Sequence, residues 1–136
     1  LVQKDNLKGL YDTNGKQIMP CQFQSIDFYT GNYLVQKGDR KGIYDMNGKQ
    51  ILPCQFQNID FYTGNYLVQK DNLKGLYDTN GKQILPCQFD RIDFYTGNYL
   101  VQKGKKKGLY NANGKEIMPC KYKNITMYRG EWLGEM

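Results

Sequence analysis

The chain has 136 residues, of which 40% are hydrophobic and 24% charged, and its formal net charge is +6. This composition indicates a folded chain and excludes a disordered one. No apolar stretch reaches the roughly 18–20 residues of a membrane-spanning helix, so we expect no membrane span. Histidine is absent and serine occurs once, at Ser25. Most hydrolase, phosphoryl-transfer and metal chemistry therefore lacks its usual side chains.

A unit of 33 residues is repeated along the whole chain. The third copy matches the first at 30 of 33 positions, and the divergent fourth copy matches it at 18. We therefore expect tandem units that pack mainly on their neighbours. Leu1 falls in a predicted strand, so we also expect the sequence to be part of a longer protein. The units span residues 1–33, 34–66, 67–99 and 100–132, and residues 133–136 begin a truncated fifth unit.

The second unit shows the predicted elements in chain order. Residues 33–37 form a short strand rich in aromatic and branched side chains. A turn at 38–40 follows, and residues 41–45 are the returning strand. Residues 49–52 form the next strand, which we expect Pro53 to end by removing a ladder donor.

Two features complete the unit. Asn47-Gly48 is a strong hairpin signal, because both residues tolerate the positive φ of a tight turn. A second turn is predicted at Thr63-Gly64-Asn65. A single helical turn around residues 57–59 stays open, since apolar spacing by three also fits a helical face.

These elements predict an all-β fold built from antiparallel meander or hairpin repeats. An antiparallel meander is favoured over a parallel β-helix, because a two-residue Asn-Gly connection joins antiparallel strands. We favour an open superhelical array of the 33-residue units. The alternative is a small four-bladed propeller-like ring, in which residues 133–136 pair beside the first unit.

Residues 41–53 resemble the body of a WG (KWG-type) repeat, which runs Trp-Gly, Asp, Gly-Lys and Pro. Phe56, Ile59, Phe61 and Gly64 also resemble that family's aromatic, aliphatic and glycine positions. All four units carry the resemblance. It implies a β-rich repeat module, chiefly bacterial, and implies no activity. Lysine stands in place of the family's tryptophan in every unit, at Lys8, Lys41, Lys74 and Lys107.

One cysteine per unit follows the proline. Their 33-residue spacing differs from the short ligand pairs of zinc sites. With three strands per unit, equivalent cysteines also lie farther apart than the roughly 7 Å that a disulfide allows between Cα atoms. We therefore expect buried thiols and no metal or cofactor. These residues are Cys21, Cys54, Cys87 and Cys120.

The positive charge is concentrated in the fourth unit. A nucleic-acid reader built from repeats is expected to spread its charge along the array, so nucleic acid is an unfavoured partner. The favoured interpretation is a polar, cap-like unit. A site for an anionic partner is the alternative, and its candidate residues are Lys105, Lys106, Lys107, Lys121, Lys123 and Arg129.

The carboxylates offer no catalytic pair. Asp12, Asp45, Asp78 and Asn111 precede the Asn-Gly turn, where either side chain can accept hydrogen bonds from turn amides. Asp27, Asp60 and Asp93 are interpreted as turn or strand-end acceptors. Catalysis normally needs one asymmetric constellation, whereas these units repeat the same side chains. We therefore predict that the chain is not an enzyme.

Tyrosines recur beside the second turn of each unit. In an extended Phe-Tyr pair, one ring points to the core and the other can reach the surface. Exposed tyrosines beside asparagines make adaptable contacts with protein or sugar. The alternative is that these rings stack between units and stabilise the array. The candidate partner surface comprises Tyr29, Asn32, Tyr62, Asn65, Tyr95 and Asn98.

The sequence therefore predicts a non-catalytic repeat module for protein–protein interaction within a larger protein. Carbohydrate or cell-surface binding through the tyrosines is the first alternative, and a structural spacer is the second. The resemblance favours a bacterial exported or surface protein and leaves the compartment open.

Overall fold

The computed structural model describes residues 2–4 and 6–136. These residues form β-strands joined by turns, with no helix among them, which confirms the predicted all-β class. The described part of the chain accordingly contains no helix able to cross a membrane. The alternative of a helical turn around residues 57–59 is wrong, since a strand begins at Asn58.

The described strands form five separate antiparallel sheets, in which each strand pairs with the next along the chain. The first sheet contains β1 (Val2–Lys4), β2 (Leu7–Tyr11) and β3 (Gln17–Phe23). The second contains β4 (Ser25–Tyr29), β5 (Asn32–Lys37), β6 (Arg40–Tyr44) and β7 (Gln50–Phe56). The third contains β8 (Asn58–Tyr62), β9 (Asn65–Lys70), β10 (Leu73–Tyr77) and β11 (Gln83–Phe89). The fourth contains β12 (Arg91–Tyr95), β13 (Asn98–Lys103), β14 (Lys106–Tyr110) and β15 (Glu116–Tyr122), and the fifth contains β16 (Asn124–Tyr128) and β17 (Glu131–Glu135).

The sheets repeat with the period of the sequence but with a different phase. The chain passes from one sheet to the next through a single residue, as at Gln57 between β7 and β8. The Gln57 amide donates to the Gln69 carbonyl over 2.7 Å, which extends the β8–β9 ladder. Among the described residues, no strand of the first sheet pairs with one of the fifth. The array is therefore open, as predicted in preference to a closed ring.

The hydrophobic cores lie between successive sheets. Ile43, Leu52 and Phe56 of the second sheet pack against side chains of the third, which include the fully buried Tyr66 and Val68. Equivalent residues build the core between the third and fourth sheets. Each inner sheet thus buries side chains on both faces, and each unit depends on its neighbours, as expected for a tandem array.

The Pro-Cys segment forms a bulge inside a strand. Residues 52–56 of β7 lie opposite only three residues of β6, because Lys41 pairs with Phe56 and Ile43 pairs with Leu52. A Cβ on Gly42 would lie 2.6 Å from the Leu52 carbonyl oxygen, so only glycine fits opposite the bulge. The prediction that Pro53 ends the strand is therefore wrong. β7 is an edge strand, in which a missing amide donor is tolerated.

The Asn-Gly turn differs from the predicted two-residue loop. Residues 45–49 connect β6 to β7, and the Asp45 amide donates to the Lys49 carbonyl over 2.8 Å. Only Gly48 has a positive φ, of 85°. A Cβ on Gly48 would also overlap the Ile18 carbonyl oxygen of the preceding unit. This glycine therefore serves both the turn and the contact between sheets.

Candidate functional site

The candidate tyrosines lie at the junctions between sheets. The Tyr29 hydroxyl accepts a 2.7 Å hydrogen bond from the backbone amide of Phe61, in the next sheet. Tyr62 accepts the same bond from the amide of Phe94, also over 2.7 Å. Tyr95 lies 3.4 Å from the amide nitrogen of Met127 and repeats the pattern. All three rings are half-buried, and their hydroxyls link one unit to the next.

The candidate asparagines make a second link at the same junctions. The Asn32 side-chain amide donates to the Tyr66 hydroxyl over 2.9 Å, and Asn65 donates to Tyr99 over 3.2 Å. These hydroxyls belong to fully buried rings, so the asparagines satisfy polar groups inside the array. Asn98 has the same position in the fourth sheet, but the equivalent ring ahead of it is Trp132, which has no hydroxyl.

The adjacent Thr-Gly turns have strained backbones. Thr63 has φ 53° and Gly64 has φ 81°, so both central residues of this predicted turn are left-handed. Positive φ is rare for a β-branched residue. The Thr63 hydroxyl lies 2.6 Å from the Tyr99 hydroxyl of the next unit, which ties the turn to the sheet ahead. This contact helps to hold Thr63 in the left-handed backbone conformation.

The phenylalanine of each Phe-Tyr pair is the more exposed member. Phe28 is 66% exposed, Phe61 43% and Phe94 46%. Met127 has the equivalent position in the fifth sheet and is 37% exposed. Phe61 contacts Tyr66 of one core and Tyr62 packs against the next core, so the two rings of this pair point in opposite directions, as expected. These four residues are called the exposed row below.

The exposed rings are held edge-on against partly or fully buried tyrosines. The ring centroids of Phe61 and Tyr66 are 5.7 Å apart at 69°, and those of Phe94 and Tyr99 are 5.4 Å apart at 63°. Such edge-to-face geometry is favourable. Sequence reasoning missed these residues, because alternation alone does not say which member of an adjacent aromatic pair faces the core.

Five of the six basic candidates lie at one edge of the array. Lys107 pairs with Tyr122, which brings the start of β14 beside the end of β15. Lys105 and Lys106 precede Lys107, and Lys121 and Lys123 flank Tyr122. Arg129 lies apart from them, in the turn between β16 and β17 at the opposite edge.

The cysteines lie at the Pro-Cys bulge and are half-buried, where buried thiols of the core were predicted. Burial raises the pKa of the Cys54, Cys87 and Cys120 thiols above the usual range. The nearby tyrosines also have a raised pKa, for the same reason, at Tyr44, Tyr77 and Tyr110. Among the described residues, no group of three or more Cys, Asp or Glu is placed to hold a metal ion.

The first set of acidic residues has the predicted turn role. The Asp45 carboxylate accepts hydrogen bonds from the Asn47 and Lys49 amides, both over 2.9 Å. Asn111 accepts the equivalent pair over 2.9 Å each. The interpretation of the second set as turn or strand-end residues is wrong, since Asp60 lies in the middle of β8. Asp93 forms a 2.6 Å ion pair with Arg91.

Two small cavities of the described surface lie at equivalent places in successive sheets. One of about 180 Å³ is lined by Arg91, Asp93 and Lys107, among others. A second, of about 140 Å³, is lined by the equivalent residues of the preceding sheet, including Asp60 and Lys74. A wider cavity, of about 470 Å³, lies between the Asn-Gly turns of the first two units. The recurring arrangement favours a repeated surface over a single pocket.

Comparison with known families aligns four tandem stretches with the family described as WG containing repeat. Each stretch begins at the glycine that follows the substituted lysine. No curated protein matches the chain. The aligned stretches are residues 9–40, 42–73, 75–106 and 108–133.

Proposed function

Since this chain belongs to the WG repeat family, we propose that it is a non-catalytic protein-interaction module that contacts its partner through the exposed row. One observation carries the proposal: an apolar side chain is exposed at the equivalent position of four successive sheets. Phenylalanine and methionine are enriched at protein interfaces. Repeated equivalent contacts can add to a strong total without a deep pocket.

The exposed row is rigidly positioned. The backbone amides of Phe61 and Phe94 are bound by Tyr29 and Tyr62 of the preceding sheets. Each ring also packs edge-on against a buried tyrosine. A fixed aromatic side chain loses little conformational entropy when a partner covers it, which favours binding. The tyrosines nominated from the sequence thus support the surface from beneath it.

Carbohydrate binding through the tyrosines receives less support. The rings of Tyr29 and Tyr62 are half-buried, and their hydroxyls each accept a hydrogen bond from a backbone amide, so little of either side chain is left for a sugar to contact. A spacer role gives no reason for apolar side chains to recur on the surface. Protein binding through the exposed row accounts both for the tyrosines held at the junctions and for the apolar side chains that recur on the surface.

The test is quantitative affinity purification from the cells of origin with the wild-type chain and a variant carrying Phe28→Gln, Phe61→Gln and Phe94→Gln. We expect the triple variant to lose specific partners, and each single variant to lose part of the binding. A glycan array run in parallel tests the carbohydrate alternative. Glycan binding that survives in the triple variant and disappears in Tyr62→Ala would contradict the proposal.

A matched control separates the exposed row from general surface hydrophobicity. Met46 is 49% exposed but lies in an Asn-Gly turn, outside the exposed row. Met46→Gln removes a large exposed apolar side chain and should leave partner recovery unchanged. Equal losses in Met46→Gln and in the triple phenylalanine variant would overturn the assignment of the binding surface.

A further inference from the structure

The lysines of the fourth sheet lie together at the edge opposite the Thr-Gly turns. Lys103 and Lys106 are paired across the β13–β14 turn, and Lys107 is paired with Tyr122 at the end of β15. This group is called the basic edge, and its members are Lys103, Lys105, Lys106, Lys107, Lys121 and Lys123.

Most of this charge is specific to the fourth sheet. Lys105 and Lys106 replace Asn72 and Leu73 of the preceding sheet. Lys121 and Lys123 stand at the end of β15, where the third sheet has uncharged Gln88 and then Asp90. All four substitutions add positive charge, and all four fall on the same edge.

No carboxylate of the described residues forms an ion pair with these lysines. The ion pairs among the described residues join Arg40 to Asp39 and Arg91 to Asp93. Asp90 faces the basic edge, but its carboxylate accepts a 2.6 Å hydrogen bond from the Gly104 amide. Lys103 and Lys121 instead lie over the rings of Phe89 and Tyr122, at 5.7 and 5.5 Å from the centroids.

The location of these lysines distinguishes between a polar cap and a site for an anionic partner. A polar cap requires charge on the outer face of the last sheet. The outer face of the fifth sheet carries Glu131 and Glu135 beside the exposed Tyr128 and Leu133, and it contains none of these lysines. The charge lies on the side of the array, where the stacking of a further sheet is not affected. A site for an anionic partner explains this placement.

We propose that the basic edge binds an acidic segment of a polypeptide. Closely spaced ammonium groups without carboxylate partners attract and orient a run of glutamates or aspartates. This site is separate from the exposed row, so it does not depend on the proposed function. A single partner that contacts both surfaces would gain affinity from each.

An acidic polypeptide fits the basic edge better than a nucleic acid does. Duplex DNA carries about one negative charge per 1.7 Å of its axis and would extend past the lysines. In the preceding sheets the same edge carries Asp39 and Asp71 together with fewer basic residues, so the net positive charge is lower there. The lysines of the basic edge lack the guanidinium fork that binds phosphate in bidentate fashion, and Arg91, which lies at the same edge, is ion-paired with Asp93. A short acidic segment can end where the lysines end.

The experiment is fluorescence anisotropy of the full chain with a labelled oligoglutamate peptide. An oligoglutamine peptide and a single-stranded DNA of equal length carry the same label. We expect oligoglutamate to bind, the affinity to fall as salt is raised, and oligoglutamine not to bind. Tighter binding of the DNA than of oligoglutamate, or no binding of oligoglutamate at low salt, would overturn the proposal.

Two charge-reversal variants locate the site. Lys105→Glu, Lys106→Glu and Lys121→Glu together lower the charge of the edge by six, so the net charge falls from +6 to 0. Lys16→Glu, Lys49→Glu and Lys82→Glu make the same change at the exposed Asn-Gly turns. We expect the first variant to lose about tenfold in affinity or more, and the second to lose clearly less. Equal losses would show that net charge alone governs binding, and the proposal would be wrong. Glutamine versions of both variants give the same comparison if glutamate impairs folding.

Discussion

The Tyr62 hydroxyl accepts a 2.7 Å hydrogen bond from the backbone amide of Phe94, 32 residues ahead in the chain. The contact joins the third sheet to the fourth and fixes the strand that carries an exposed ring of the next unit. The same bond occurs between Tyr29 and Phe61. Stacking of the units and presentation of the exposed row thus depend on the same side chains.

The first prediction concerns this bond. Tyr62→Phe removes the hydroxyl and leaves the Phe94 amide without its partner, so we expect the free energy of unfolding to fall by about 0.5–1.5 kcal/mol. Urea denaturation followed by circular dichroism measures the change. Tyr128→Phe is the control, because Tyr128 is 60% exposed in the last sheet. An equal effect of the two substitutions would contradict the role of the Tyr62 hydroxyl.

The glycine opposite the Pro-Cys bulge provides a second prediction. A Cβ on Gly75 would lie 2.8 Å from both the amide nitrogen and the sulfur of Cys87. Overpacking of this kind costs about 1–3 kcal/mol, so Gly75→Ala should destabilise the chain by that amount in a urea titration.

Gly97→Ala is the matched control for this steric effect. Gly97 has φ 82°, but a Cβ added there would meet no neighbour within 4 Å, so its substitution tests backbone conformation alone. We expect a cost of about 1 kcal/mol there. If Gly75→Ala proves neutral, the close approach at the bulge is not required.

The third prediction concerns the acidic residue of the Asn-Gly turn. Asp45→Ala removes the acceptor of two hydrogen bonds to backbone amides, so we expect a loss of about 1–2 kcal/mol. Asp45→Asn should be nearly neutral, since Asn111 makes the same two bonds in the fourth unit. Thermal denaturation of the two variants distinguishes hydrogen bonding from charge. A large loss in Asp45→Asn would show that charge dominates.

The fourth prediction is a loss of stability at alkaline pH. Burial raises the pKa of the Cys54, Cys87 and Cys120 thiols, so the folded chain holds these protons more tightly than the unfolded chain. The resulting stability is fully present below the unfolded thiol pKa of about 8.5 and is lost as pH rises through the folded values. Urea midpoints measured at increasing pH above neutrality should therefore decline.

Cysteine substitution assigns this decline to the thiols. In a variant with alanine at Cys54, Cys87 and Cys120, the decline just above the unfolded thiol pKa should be smaller. Tyr44, Tyr77 and Tyr110 also have a raised pKa, but they titrate at higher pH than thiols do. An unchanged pH profile in the alanine variant would contradict the assignment.

The period and the local turn chemistry were predictable from the sequence, and the contacts between units were not. The role of Asp45 follows from its place two positions before Asn47, because a carboxylate there reaches turn amides. The bulge at Pro53 was not predicted, because the sequence of one strand does not show whether that strand lies at the edge of its sheet. Which of Phe61 and Tyr62 is exposed depends on packing against the neighbouring sheets.

The central claim is that equivalent exposed side chains of successive units contact one partner. Site-specific photocrosslinking tests it most directly, with benzoylphenylalanine placed singly at Phe28, Phe61, Phe94 and, for comparison, Tyr62. The account predicts that the three phenylalanine positions crosslink to the same protein partner and that Tyr62 does not. Crosslinks from Tyr62 alone, or to unrelated proteins from the three phenylalanine positions, would contradict it.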